Sequence, residues 1–379
     1  MDSDQYRTPG QLIDALLAEC GWTKRVLATV LGFDETVVNK LITGRRAIDG
    51  FMALALGEVF NVDPNRFMEL QASYDLAKAR IETRPDPARV TRAKVYGALP
   101  VGEMIRRGWL NATDVRDVAS VEKALTAFFG VSSVDEIEAL PHAAKKTAVS
   151  TPATPVQLAW LYRVRQLAVD MVAGRYSPQA VRDGIERLRN LIWAAEEARK
   201  APRILAESGI RFVIVESLPG AKIDGVCFWL NDMAPVIAMS MRYDRIDNFW
   251  FVLRHELEHV VRRHGRAAVM LDAELEGERA GEGPLIAEEE RVANAAAAQF
   301  CVPQDALGRF ISNKAPFFAG HDIRGFANTL KIHPGLVAGQ LQRRLNRYDL
   351  FRQFQVKIRS IVAPGAIVDG WGDVAPVGM

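Results

Sequence analysis

The segment RIDNFWFVLRHELEHVVRRHG, residues 245–265, contains the motif HExxH at residues 255–259. On a helix, this spacing places His255 and His259 one turn apart on the same face, where both imidazoles can bind a single metal ion. Glu256 lies about 100° around the helix from His255, close enough to take a proton from a metal-bound water. The segment therefore predicts a helix over residues 247–264 that carries a zinc-type hydrolytic site.

Such a site needs a third protein ligand, and the run EEERVAN at residues 288–294 supplies acidic candidates. Glu290 and Asn294 are four residues apart and share a helix face, so Glu290 can bind the metal while Asn294 orients a ligating histidine. Spacing alone leaves Glu288 and Glu289 open as the ligand. Three consecutive Glu residues at a helix start are also favoured by the helix dipole, which requires no metal at all.

The segments around the motif predict a domain of mixed helix and strand. Runs rich in Val, Ile, Phe and Trp precede the motif, and a Gly- and Glu-rich segment that is typical of a loop follows it. The predicted strands are residues 211–216, 225–230 and 235–240, the loop is residues 265–287, and the later helices are residues 288–301, 323–330 and 334–345. A strand 235–240 at the sheet edge would be able to hold a peptide substrate by strand addition.

Two charged residues near the motif also have predicted roles. His264 follows His255 by nine residues, about 180° around an ideal helix, so we expect its side chain to face away from the metal. It then acts as a cation at the helix C-terminus, with a substrate contact as the alternative. Glu258 adds a negative charge that we expect to lie beside the metal.

The N-terminal segment has the pattern of a helix-turn-helix. Ala28 is small enough to let a second helix come close, and Gly32, four residues later, can adopt the positive φ that a tight turn needs. Val38 and Leu41 are three residues apart and would seat the next helix on the core. The alternative is a helical bundle that binds no DNA.

The outer face of that next helix, with the basic residues around it, is the predicted DNA contact. Asn39 is suited to adenine and Lys40 to guanine, whereas the other basic residues are placed for phosphates. Residues 23–46 hold five basic and two acidic residues, but residues 1–80 hold nine basic and eleven acidic ones, which disfavours strong non-specific binding. The predicted DNA-binding residues are Lys24, Arg25, Thr36, Asn39, Lys40, Arg45 and Arg46.

Composition bounds the class of protein. The length of 379 residues is typical of two or three domains. The content of 49% hydrophobic and 25% charged residues is that of an ordinary folded protein. The net charge of +2 excludes a basic electrostatic field over the whole protein. No apolar run approaches the length of a membrane span, and the first residues lack the features of a secretory signal, so we expect a cytoplasmic protein. The cysteines Cys20, Cys227 and Cys301 lack CxxC spacing and are typical of thiols in a reducing compartment.

The predicted organisation is multidomain. An all-α helix-turn-helix domain occupies residues 9–80, and a helical spacer occupies residues 81–204, with a linker at about 141–155. An α+β domain follows at residues 205–345, and residues 346–379 form a Gly- and Pro-rich C-terminal extension. The spacer shows no motif to which chemistry can be assigned.

Residues 9–78, from GQLIDALLAECGWTKRVLATVLGF through NKLITGRR to FMELQASYDL, resemble the HigA-type, XRE-like antitoxin and repressor domains. The resemblance implies a DNA-binding fold. In those relatives the first position of the second helix is commonly Gln, which contacts the DNA backbone, whereas this chain has Lys24.

The segments RIDNFWFVLRHELEHVVRRHG and EEERVANAAAAQFCVP resemble the ImmA/IrrE family of metallopeptidases, and the resemblance spans about residues 205–345. It implies a zincin-like, gluzincin-type fold with Glu290 as the third ligand and Asn294 as a residue that supports the ligands. It also implies a regulator that cuts one repressor or antitoxin. Glu258 departs from the Gly or Ala that is usual at its position in the family.

Two functions follow from these observations. The first is a DNA-binding regulator that carries a metallo-endopeptidase dependent on Zn²⁺, or on Mn²⁺, and cleaves a specific regulatory protein. The second is a non-catalytic repressor or antitoxin whose C-terminal domain senses metal or stress, or holds a partner. For both we expect operator DNA and a protein substrate or a toxin or repressor as partners, a homodimer, and no membrane. The intact metal residues favour the enzyme.

Overall fold

The computed structural model describes residues 6–83, 89–137, 153–265, 270–273 and 288–370. The chain divides into two compact units, Met1–Arg89 and Val90–Met379. Within the described ranges, every helix is too short or too polar to span a membrane. The predicted linker at about 141–155 and the acidic part of the predicted loop fall largely outside those ranges.

The first unit is helical, as predicted. Thr8 and Thr23 cap the first two helices by accepting backbone N–H groups, and Gly21 and Gly32 end them in the left-handed conformation. The helices pack around one core that includes Leu12, Leu27, Val38, Leu56 and Phe67, all fully buried. They are α1 (Pro9–Cys20), α2 (Lys24–Leu31), α3 (Glu35–Ile42), α4 (Gly50–Phe60) and α5 (Pro64–Glu82).

The second unit is built on a sheet that shows, in the described residues, five strands in the order β4-β2-β3-β1-β5. The β1 strand pairs in parallel with β3 and β5, whereas β2 pairs antiparallel with β3 and β4. The strands are β1 (Arg211–Val215), β2 (Ile223–Trp229), β3 (Pro235–Met239), β4 (Met270–Ala273) and β5 (Ile367–Asp369). Strand addition at residues 235–240 would need an edge strand, and β3 is an inner strand that lies between β2 and β1.

Helices cover both faces of this sheet. Phe212 and Ile214 of β1 face one layer of helices, whereas Val213 and Val215 face the other. The helices are α6 (Arg89–Ala98), α7 (Val101–Arg106), α8 (Val118–Phe129), α9 (Pro155–Val169), α10 (Pro178–Arg189), α11 (Ala201–Glu207), α12 (Ile246–Val261), α13 (Glu288–Cys301), α14 (Gln304–Lys314), α15 (Gly320–Leu330), α16 (Pro334–Leu345) and α17 (Arg359–Val362). The coarse prediction of a helical N-terminal region followed by a region of mixed helix and strand is confirmed.

The predicted spacer is part of the second unit. Trp160 of α9 is fully buried, and its indole Nε1 donates to the Val215 carbonyl at 2.9 Å. Arg107 is buried and donates to the Glu216 carbonyl at 2.7 Å. The predicted boundary at residue 204 is therefore not a boundary between compact units. The β1 strand is apolar on both faces, so it needs a helical layer on each.

The predicted C-terminal extension also belongs to the sheet. The β5 strand extends it beyond β1, and the fully buried Asp369 carboxylate accepts a hydrogen bond from the Arg163 guanidinium. Residues 346–370 thus belong to the second unit, which is not divided at residue 345; the observed boundary at Arg89 corresponds to the predicted one at residue 80.

Candidate metal centre and DNA-binding surface

The helix α12 carries the HExxH motif and is enclosed on nearly all sides. It contacts β2 and β3 of the sheet and the helices α13 and α16. At its start, the buried Asp247 accepts hydrogen bonds from Arg245, and Gly339 of α16 passes so close that a Cβ there would lie 2.2 Å from Asp247 Oδ2. Burial raises the pKa of Asp247, and the Arg245 charge opposes that rise. This tight packing fixes the helix from which His255 and His259 project.

The two histidines and one glutamate form a compact group of donor atoms. His255 Nε2 and His259 Nε2 are 3.1 Å apart, and the Glu290 carboxylate oxygens lie 3.3 Å from His255 Nε2 and 3.5 Å from His259 Nε2. Donors of a tetrahedral zinc ion, with bonds of about 2.0–2.1 Å, lie about 3.3–3.4 Å from one another. The three donors therefore have the spacing of three ligands of a tetrahedral metal ion.

The three consecutive glutamates at the start of α13 have different surroundings. Glu290 faces His255 and His259, whereas the Glu289 carboxylate lies 3.7 Å from His264 Nε2. Glu288 is exposed and pairs with Arg291. Of the acidic candidates that the spacing left open, the geometry brings Glu290 to the histidines.

Asn294 follows Glu290 by one turn of α13. Its side-chain oxygen is buried and has no hydrogen-bond partner among the described residues. A role in orienting a metal-ligating histidine therefore stays a prediction.

Glu256 is fully buried, and the sequence of β2 makes room for it. A Cβ atom on Gly225 would lie 2.2 Å from Glu256 Oε1 and 2.9 Å from Val252 Cγ1, closer than real contacts allow. Only glycine at this position lets the strand pass so near the carboxylate. Sequence reasoning missed Gly225, because a single glycine in a strand carries no specific signal.

Replacing Gly225 by Ala is expected to push the Glu256 carboxylate away from its position and to lower the free energy of unfolding by about 1–3 kcal/mol. Urea unfolding measures the stability, and zinc titration shows whether His255 and His259 still bind. Gly308→Ala on α14 is the matched control, since a Cβ there meets nothing within 4 Å. Equal stability of the two variants would contradict this account of the packing.

His264 does not face away from the histidine pair, so that prediction is wrong. The helix ends at Val261, and Arg263 adopts a left-handed conformation with φ of 59°, which reverses the chain. His264 Nδ1 consequently lies 3.0 Å from His259 Nδ1. The angular argument of 100° per residue does not apply beyond the point at which the helix stops.

The charge of Glu258 is neutralised by two arginines. Its carboxylate accepts hydrogen bonds from Arg254 at 2.8 Å and from Arg262 at 2.6 Å. Although burial raises the pKa of Glu258, these two hydrogen bonds outweigh it and lower the pKa below its usual value. The expectation that Glu258 adds a negative charge beside the metal is therefore wrong. Its charge is balanced by ion pairs with Arg254 and Arg262.

The predicted DNA-binding residues lie together on α2, α3 and the turn that follows. Gly32 has φ of 71°, Ala28 is buried, and Val38 and Leu41 are buried in the core, as the helix-turn-helix pattern requires. Lys24 is half-buried, and its Nζ donates to Asn39 Oδ1 at 3.4 Å. The remaining six are exposed: Arg25, Thr36, Asn39, Lys40, Arg45 and Arg46.

Replacing Arg45 or Arg46 by Ala is expected to weaken DNA binding about equally for all sequences. Because each arginine that contacts a phosphate releases counterions, the slope of log affinity against log salt should shrink by about 1 for each. Fluorescence anisotropy with a mixed-sequence duplex at several salt concentrations measures the slope. Lys78→Ala is the control, because Lys78 is exposed and lies on α5, outside the α2–α3 pair. An equal change of the salt slope in this variant would contradict the assignment of Arg45 and Arg46 to phosphates.

Comparison with known proteins bears on the first unit. A family model described as helix-turn-helix matches residues 13–67. No curated protein and no solved structure matches the chain. Together with the geometry of α2 and α3, the match makes the N-terminal unit a helix-turn-helix domain of the XRE type, the DNA-binding part of a regulator.

Proposed function

We propose that this DNA-binding regulator carries, in its second unit, a zinc-dependent endopeptidase that cleaves a specific regulatory protein, a repressor or an antitoxin. The observation that supports it is the convergence of His255, His259 and Glu290 within 4.8 Å; the helix of the two histidines also carries the buried Glu256, the residue after His255. Two buried imidazoles and one partly buried carboxylate form one of the donor sets found in catalytic zinc sites. Manganese accepts the same donors and is the alternative metal.

In this proposal each residue has a distinct task. His255, His259 and Glu290 would hold the metal, which would act as a Lewis acid toward the peptide carbonyl. Glu256 takes the proton of the attacking water and returns it to the leaving amine, as a general base and then a general acid. Gly225 keeps the Glu256 carboxylate in place by leaving room for it. The substrate class comes from the resemblance of the motifs to ImmA/IrrE peptidases.

Elemental mass spectrometry of the purified full-length protein tests the proposal. We expect about one zinc or manganese per chain, and a lower unfolding temperature after the metal is removed with a chelator, since a ligand bound only to the folded state stabilises it. His321→Ala is the matched control, because the His321 side chain is 84% exposed and should leave the metal content unchanged. A protein that purifies without metal and takes up none on titration would contradict the proposal.

A further inference from the structure

We propose that His264 is a positioning residue for the metal centre: it accepts a hydrogen bond from His259 Nδ1 and so directs His259 Nε2 to the metal. This inference rests on the proposed metal site. It concerns a residue outside the HExxH motif and outside the three metal ligands.

The first argument is the tautomer that binding requires. His259 Nε2 belongs to the group of three donors, so it must be unprotonated when it binds a metal. The ring proton of the neutral imidazole is then on Nδ1, which lies 3.0 Å from His264 Nδ1. Because a histidine ligand is oriented by the partner of its other nitrogen, this contact fixes both the tautomer and the ring plane of His259.

The second argument is that the backbone holds His264 in this place. Its N–H donates to the His259 carbonyl at 2.8 Å, and its own carbonyl accepts from Trp229 Nε1 at 2.8 Å. Gly265 follows with φ of 76°, and a Cβ there would lie 2.6 Å from the Cys227 carbonyl oxygen. The turn is therefore tied to α12 by the His264 N–H and held against β2 by the His264 carbonyl and by Gly265, which fixes the backbone from which the imidazole reaches His259.

The third argument is the charge beyond His264. The Glu289 carboxylate lies 3.7 Å from His264 Nε2, and its negative charge favours the neutral tautomer that carries its hydrogen on Nε2. With the proton on Nε2, the Nδ1 atom of His264 carries a lone pair that faces His259. Two neighbouring residues of α13 thus act at this site: Glu290 faces His255 and His259, and Glu289 faces the His264 imidazole that orients His259.

Cobalt titration of the full-length metal-free protein tests the proposal, with the apparent dissociation constant and the visible absorption spectrum as readouts. His264→Leu keeps the size but removes the acceptor, and we expect affinity to fall about 10- to 100-fold with an altered spectrum. His264→Asn places an oxygen close to the position of Nδ1 and should restore most of the affinity. Glu289→Gln, which changes only an exposed group, should lie between the wild type and the Leu variant.

The outcomes separate the two proposals. Wild-type affinity and spectrum in His264→Leu, or equal losses in the Leu and Asn variants, would overturn the role of His264 and leave the metal site intact. Wild-type protein that binds neither cobalt nor zinc would overturn the proposed function itself. If the Leu variant does not fold, the Asn and Glu289→Gln variants are compared with the wild type instead. Wild-type metal affinity in Glu289→Gln, together with complete loss of metal affinity in the Asn variant, refutes the inference.

Discussion

Replacing Glu256 by Gln is expected to reduce peptide-bond cleavage at least about hundredfold, because a general base contributes about 10²- to 10⁴-fold to the rate. Glutamine has the same size as glutamate and fits the space beside Gly225, but it does not accept the proton of the attacking water. Metal content and DNA affinity should stay at wild-type levels, since Glu256 is not one of the three donors and belongs to the second unit. The variant therefore separates catalysis from folding and from metal binding.

Mass spectrometry of new protein N-termini in cells that produce the wild type or the Glu256→Gln variant measures this loss. Termini that appear only with the wild type identify the substrate at the same time. The same termini and the same regulatory effect in both strains would refute the peptidase. The second unit would then be the part of a non-catalytic repressor or antitoxin that senses metal or holds a partner.

Replacing Glu290 by Ala is expected to strip the metal from the protein. Glu290 supplies the only carboxylate among the three donors that the described residues bring together, and its oxygens lie 3.3 and 3.5 Å from the two histidine Nε2 atoms. Replacing a residue that only orients a ligand lowers metal affinity about 10- to 100-fold. Replacing the ligand itself should lower it further. Elemental analysis after dialysis and competition with a chelator measure the change.

Glu288→Ala is the matched control for this experiment. Glu288 lies in the same run of three glutamates and on the same helix turn, but it is exposed and pairs with Arg291. Equal metal loss in both variants would indicate that the charge of the helix start, rather than a specific ligand, holds the ion. Retention of metal by Glu290→Ala would remove Glu290 from the site.

Much of the site follows from local periodicity. The spacing of HExxH and its apolar flanks is a property of a single helix, so the sequence predicts this helix, over residues 247–264. The structure has it at Ile246–Val261. The helix of Glu290 was predicted with its observed bounds, Glu288–Cys301. The spacing also predicts the ion pairs of Glu258. Arg254 and Arg262 lie four residues before and after it, which is the spacing of ion pairs on a helix.

What escaped prediction depends on contacts between distant residues. The β4 strand lies in a segment that is rich in Gly and Glu, and β5 has only three residues, so neither gives a periodic signal of its own. The second helical layer was also missed, although β1 carries a signal for it: its uninterrupted FVIV is typical of a strand that is buried on both faces. The reversal at Arg263, which brings His264 to His259, gives no sequence signal, because non-glycine residues rarely adopt positive φ.

The placement of β5 beside β1 affects how the protein is made. About 150 residues separate the two strands, and at synthesis rates of about 5–20 residues per second the ribosome needs about 8–30 s to reach the second after the first. During that interval the outer backbone groups of β1 have no strand to pair with, and such an edge is a template for aggregation. A chain that terminates before Ile367 never receives the closing strand, so premature termination near the C-terminus should produce insoluble protein rather than a slightly shortened regulator.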